Sequence, residues 1–297
     1  MIKYFIKRIK NLFLEPIDQN DYLQNKIQEY INNNRIPWSN GYNEHKWQQI
    51  KQVLGNAQMI NKFKQFNGIS DFGVGIDERI IEYPWIIANL KTGTTSILDA
   101  GSTFNHKIIL ENPVIKTKNL SIFTYYPELI NFNDLRVSYI YSDLRDIPFR
   151  NQYFEEIVCH STLEHIAMDN SMYGYSNDTN LVEDKNYEYL KVVDELNRVL
   201  KQDGILLITV PYGCFENHGF FQQFDKEMID QIKTSLTKHG TIEDFYFKYN
   251  IGGWAMSTKK DCDNCKSYNP HTGVGKGTDN AAHSRGICCL KFTKNNI

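Results

Sequence analysis

Between residues 96 and 210, short apolar runs alternate with stretches of helical periodicity. The runs are SILDA (96–100), LSIFTYY (120–126), VSYIY (137–141), EIVCHS (156–161) and GILLITV (204–210). Short continuous apolar runs between polar turns mark strands covered on both faces, as in a parallel sheet flanked by helices. Between the last two runs, Leu190, Val193, Leu196 and Leu200 share a helical face with Val192 and Val199. Gln202-Asp203-Gly204 should end that helix, with the glycine as C-cap. Further on, Phe245, Phe247 and Tyr249 alternate with polar positions, and residues 285–292 form another candidate strand. The two predict an antiparallel hairpin at the sheet edge, and the Gly-, Asn- and Asp-rich joint 250–284 reads as a surface loop.

The first 92 residues are patterned differently. Residues 21–30 and 43–66 read as helices around a Pro/Gly/Asn-broken turn at 35–45, and Pro84 should kink or restart a helix within 75–90. Ile2, Phe5, Ile6, Ile9 and Phe13 lie on one helical face, with Lys3, Lys7 and Lys10 on another. A basic amphipathic segment over residues 1–14 suits an anionic membrane face, a partner protein or the chain's own domain. The expected organisation is a helical cap over 1–92 and an α/β domain over 93–297.

Composition narrows the classes. Lys and Arg number 33 against 35 Asp and Glu, a net charge of −2, which gives no basic stripe for nucleic acid. No apolar run is long enough for a transmembrane helix, and residues 1–14 lack the apolar core and cleavage site of a signal peptide. Six cysteines in 297 residues are ordinary for a reduced compartment, so a cytoplasmic location is expected, with possible contact at the inner membrane face. Cys262 and Cys265 form a CxxC, but Cys288 and Cys289 would point to opposite faces of a strand and cannot both join it; we expect buried thiols and no metal.

In an open α/β sheet, ligands bind beyond the carboxyl ends of the strands. Those positions carry Asp99-Ala100-Gly101-Ser102-Thr103, then Pro127-Glu128, Ser142-Asp143-Leu144, His160-Ser161-Thr162-Leu163-Glu164-His165, and Pro211-Tyr212-Gly213. Three segments, ILDAGS, DLRDIPFRNQYFEEIVCHSTLEHI and ELNRVLKQDGILLITVP, in this order, resemble the core of the class I S-adenosylmethionine-dependent methyltransferases. DERIIEYPW, LDAGSTFNH, STLEHIAMDN and VPYGCFENHGFFQQFD look like a branch associated with bacterial surface-glycan biosynthesis.

The resemblance implies a Rossmann-like, doubly wound, seven-stranded and mostly parallel sheet with S-adenosylmethionine as methyl donor. It places Asp99, Gly101, Ser102, Thr103, Glu128, Asp143, Leu144, His160 and Ser161 around that donor. Gly101 would admit the donor's amino-acid end, Glu128 would accept from the ribose diol, and Asp143 with the Leu144 backbone would meet the adenine. The sequence departs from the pattern twice. Gly101 is followed by Ser-Thr-Phe-Asn, where further glycines are usual, leaving Asn105 as a candidate left-handed residue. Tyr125-Tyr126 stand at the end of the second strand, where the family has an acid.

O-methylation of a sugar hydroxyl, or a related group on a glycan precursor, would need a base. The candidates are His165, Glu164 and His218, with His165 preferred because an ordinary imidazole titrates near neutrality. Residues 162–170 should open a helix, aiming Glu164 and His165 about 100° apart. Tyr173 and Tyr175 could stack on a sugar acceptor, and the stretch after the fifth strand could close over it. The competing reading is a non-catalytic glycan-pathway scaffold, favoured by the two departures.

Overall fold

The computed structural model describes residues 19–171 and 185–296. The amphipathic segment 1–14 and the tyrosines 173 and 175 lie outside them.

Five parallel strands, β1 (Ser96–Ala100), β2 (Asn119–Thr124), β3 (Ser138–Tyr141), β4 (Phe154–His160) and β5 (Leu200–Pro211), follow the runs read from the sequence. The tail supplies β6 (Gly240–Asn250), β7 (Gly253–Ser257) and β8 (Gly286–Lys294). β8 runs antiparallel to both β5 and β6, as the expected hairpin requires. The full order is β3-β2-β1-β4-β5-β8-β6-β7, so the chain reverses direction across the sheet between β1 and β4. This is a Rossmann-like sheet with an eighth strand at its edge. That strand comes from the joint read as a surface loop, where Trp254, Cys262, Cys265 and Tyr268 are all buried.

Helices cover both faces. α1 (Gln19–Asn32), α2 (Tyr42–Leu54), α3 (Ala57–Gln65) and α4 (Arg79–Asn89) precede the sheet; α5 (Tyr189–Val199) and α6 (Lys226–Thr237) follow β4 and β5. Strand residues alternate between the two resulting cores. Leu98, Ala100 and Cys288 pack with α5 and α6, while Ile97 and Cys289 pack with α2–α4. Residues from α2–α4 and from β1, β2 and β4 thus share one core.

Local chemistry corrects several sequence expectations. The helix read over 43–66 breaks at Gly55-Asn56, because the Asn56 side chain caps a new helix by accepting from the Gln58 and Met59 amides. Pro84 lies inside α4, which runs unbroken. After α5 the left-handed residue is Asp203 (φ +56°), not Gly204. In the loop after β1, Gly101 (φ +129°) and Ser102 (φ +61°) take the unusual conformations, not Asn105. Beyond β4 the chain makes only a 3-10 turn, Leu163–His165, and Ala167 (φ +57°) turns it away from a helix.

Candidate active site

At the carboxyl ends of β1–β4 lies a cleft of about 630 Å³. It is lined by Gly101 and Thr103 after β1, Tyr125 and Glu128 after β2, Ser142 to Arg145 after β3, and Ser161, Thr162, His165 to Met168 and Asn170 after β4. Arg79, the first residue of α4, completes the wall. Strand connectivity therefore gathers Gly101, Thr103, Glu128, Asp143, Leu144, Ser161 and His165 from across the sequence.

Asp99 and Ser102 are buried behind this surface. Asp99 accepts from the Thr103 hydroxyl (3.0 Å) and the Phe104 amide (2.7 Å), so it shapes the loop. Burial pushes its carboxyl up to about 7, against the lowering effect of those donors. Gly101 is required by packing as well as by its positive φ. A Cβ there would stand 2.0 Å from Thr162 Oγ1, so the loop after β1 rests directly on the loop after β4.

At the outer end, Asp143 is gripped by the Arg145 guanidinium, with Nη2 2.7 Å and Nε 3.0 Å from Oδ2. Burial works to raise that carboxyl, and Arg145 outweighs it, holding Asp143 below its usual range. Glu128 accepts from Asn105 Nδ2 at 2.7 Å. Both acids are partly open and sit where a diol and an exocyclic amine could be received.

The inner end is drier. His160 is fully buried and bonds through Nε2 to Glu82 at 2.8 Å, so it does not line the cleft. Burial, aided by Arg79, keeps His160 below its usual pKa and neutral. Glu82 also accepts from the Ser161 hydroxyl (2.6 Å) and from Arg79 Nη1 (3.1 Å). Burial alone would raise the Glu82 carboxyl; these partners hold it well below the usual range. Neither Arg79 nor Glu82 was assigned a role from the sequence. The available signal was a glutamate set among apolar residues in IIEYPWII, which only a buried partner could tolerate.

The three base candidates separate. Glu164 is buried, and burial drives its carboxyl well above the usual range, which disfavours the ionised form a base needs. Its Oε2 has no hydrogen-bond partner among the described residues. His218 lies outside the cleft lining, stacked on Phe221 and bonded to Ser267 Oγ at 3.1 Å. His165 lines the cleft, and its Nδ1 donates to the Phe220 carbonyl at 2.8 Å. Burial pushes it down to about 4, so the ring is neutral at physiological pH with its lone pair on Nε2. Among the described residues, no group of three or more His, Cys, Asp or Glu is placed to hold a metal, and no helix is long and apolar enough to cross a membrane.

The methyltransferase domain family matches residues 124–208, from the end of β2 into β5. Over those residues the chain is similar to a methyltransferase domain. No match was found among curated proteins. Similar solved structures include the YcgJ protein from Bacillus subtilis (12% identity, 73% of this chain and 99% of that one, TM-score 0.45). The N-methyltransferase NodS from Bradyrhizobium japonicum, solved with S-adenosylhomocysteine, is 11% identical over 84% of this chain and 99% of that one (TM-score 0.40). A SAM-dependent methyltransferase from Methanosarcina mazei is 13% identical over 71% and 98% (TM-score 0.42). Likenesses at this level carry no information about acceptor or site residues.

Proposed function

We propose that this protein O-methylates a hydroxyl of a sugar or related group on a surface-glycan precursor in the cytoplasm. The observation that carries the methyl-transfer reading is the cleft at the sheet's switch point, which brings Gly101, Thr103, Glu128, Asp143, Leu144 and Ser161 together with His165. Glu128 and Asp143 are suited to accept from the ribose diol and the adenine amine, with Leu144 beside the ring. Asp99, Ser102 and His160 support the loops behind. S-adenosylmethionine, when bound, supplies an electrophilic methyl on a sulfonium. His165 Nε2 would take the proton of the acceptor hydroxyl, while the Phe220 carbonyl holds Nδ1–H and fixes the ring. The glycan acceptor rests on the likeness of DERIIEYPW and STLEHIAMDN to the glycan-associated branch, and Asn170 beside His165 offers a polar wall for it. The basic amphipathic residues 1–14 fit attachment at the inner membrane face, near a lipid-borne precursor.

One observation favours a scaffold instead: Asp143 and Glu128 both already have protein partners. Calorimetric titration with S-adenosylhomocysteine separates the readings. Micromolar binding weakened at least tenfold by Asp143→Ala supports the enzyme. No binding at millimolar ligand to a cooperatively folded sample removes it.

A further inference from the structure

Charged side chains that line the cleft are Arg79, Glu128, Asp143 and Arg145. Arg145 is occupied by Asp143 and Glu188. Arg79 is different. Its only side-chain hydrogen bond among the described residues runs from Nη1 to Glu82, although a guanidinium carries five donors. A quarter of the side chain is exposed, while Glu82 behind it is completely buried. The helix α4 therefore presents a positive fork to the cleft, beside Gly101 and Ser161, with its counter-ion sealed on the protein side. The other groups nearby leave this charge in place. Burial holds His165 and His160 below the usual range and raises the Glu164 carboxyl above it, while Glu78 next to Arg79 is engaged by His283 Nδ1 at 2.9 Å.

A closed network at the opposite end of the sheet shows what saturation looks like in this fold. Lys118 Nζ, fully buried, spends its three donors on Glu156 (2.6 Å), the Lys91 carbonyl (2.6 Å) and Thr95 Oγ1 (2.8 Å). A closed network of that kind is structural; among the described residues the Arg79 fork is open on the cleft side.

We infer that Arg79, oriented by Glu82, binds the α-carboxylate of the methyl donor. A guanidinium suits that group because its parallel N–H bonds match the two carboxylate oxygens. The placement follows from the chain. Ser161, which shares Glu82 with Arg79, and Gly101 border the same inner end, so the carboxylate would anchor there while the adenine extends toward Asp143. Glu82 thereby couples the fork to the loop after β4, which carries His165.

This inference rests on the donor-site reading above, and the test keeps the two apart. Wild type, Arg79→Gln and Arg79→Lys would be titrated calorimetrically with S-adenosylhomocysteine and with its carboxamide, which lacks only the negative charge. The expected result has three parts: wild type prefers the carboxylate at least tenfold; Arg79→Gln loses at least tenfold for the carboxylate and under threefold for the carboxamide; Arg79→Lys falls between. Equal weakening of both ligands, or of neither, overturns the assignment. Should Arg79→Gln fail to fold by thermal melting, the wild type and Arg79→Lys still decide: no preference for the carboxylate in the wild type overturns it. Binding of neither ligand to folded wild type overturns the donor site itself, and this proposal with it.

Discussion

Two buried charge networks sit at opposite ends of the same parallel sheet. At the amino-terminal end, Lys118 and Glu156 are both wholly buried, and every Lys118 donor has a partner. At the carboxyl end, Glu82 is just as buried, but its cation Arg79 reaches the cleft. Burying an ion pair gains little net stability against an apolar pair, because desolvation offsets the attraction. The first network therefore matters mainly as a constraint: it ties the loop before β1 to β4 and β2. The second shares those costs and, among the described residues, leaves donors unused, which is expected where a ligand completes the set. Location in an α/β sheet explains the division, since ligand crevices form at the carboxyl ends of strands.

The largest expected effect comes from breaking the closed network. Lys118→Met should destabilise by about 3–5 kcal/mol in urea unfolding, since it leaves the buried Glu156 charge without its counter-ion, held only by the Lys91 amide and the Thr95 hydroxyl. Its donor affinity should stay unchanged, and adding Glu156→Leu should recover most of the loss. If the double variant is no better than the single, uncompensated charge is not the cause.

The next effect concerns pH. Asp99 has its folded pKa raised to about 7 from an unfolded value of about 4, so the native state binds more protons in that window. Its contribution is complete below pH 4 and is lost as pH rises through 7, on the order of 4 kcal/mol. The stability difference between wild type and Asp99→Asn should therefore move in favour of Asn as pH rises from 4.5 to 7. His165 acts in the opposite sense. Its pKa is lowered to about 4, so its neutral form stabilises the fold above about pH 6.5, and that contribution is lost as pH falls toward 4. For the same reason, methyl transfer measured from pH 5.5 to 8 should show no limb from His165, whereas His165→Asn should lower the single-turnover rate roughly 10²–10⁴-fold.

The smallest effect belongs to the outer end of the cleft. The Asp143–Arg145 pair is about 30% exposed on each side, so Arg145→Ala should cost under about 1 kcal/mol. Releasing Asp143 should tighten S-adenosylhomocysteine binding two- to threefold by calorimetry. A weakening instead would make Arg145 itself a contact for the ligand.

Much of this architecture is legible in the sequence. The apolar runs that became β1–β5 needed burial on both faces, and the helix with Val192, Val193, Leu196 and Val199 had one face to bury. Alternation also separated Cys288 from Cys289 across the sheet, as strand geometry demands. Errors arose where side chains act on nearby backbone. Asn56 capping a new helix, Asp203 rather than Gly204 taking the left-handed turn, and the 3-10 turn at Leu163–His165 are choices among conformations of similar local energy. The extra strand β7 was missed because the segment around it is rich in loop-forming residues, and only pairing with β6 makes it a strand.

By itself, the sequence determined the strands of the sheet and the loops after the first four of them, whose residues face the cleft. Periodicity and strand order are properties of near neighbours and of chain connectivity, and both are written locally. Tertiary structure alone decided the surroundings of Glu82, Arg79, Glu164 and His165. Whether a carboxyl holds its proton, or a histidine stays neutral, depends on burial and on partners up to 79 residues away, as Glu82 and Ser161 are. No local pattern contains that distance, because charge states are set by the environment that folding assembles.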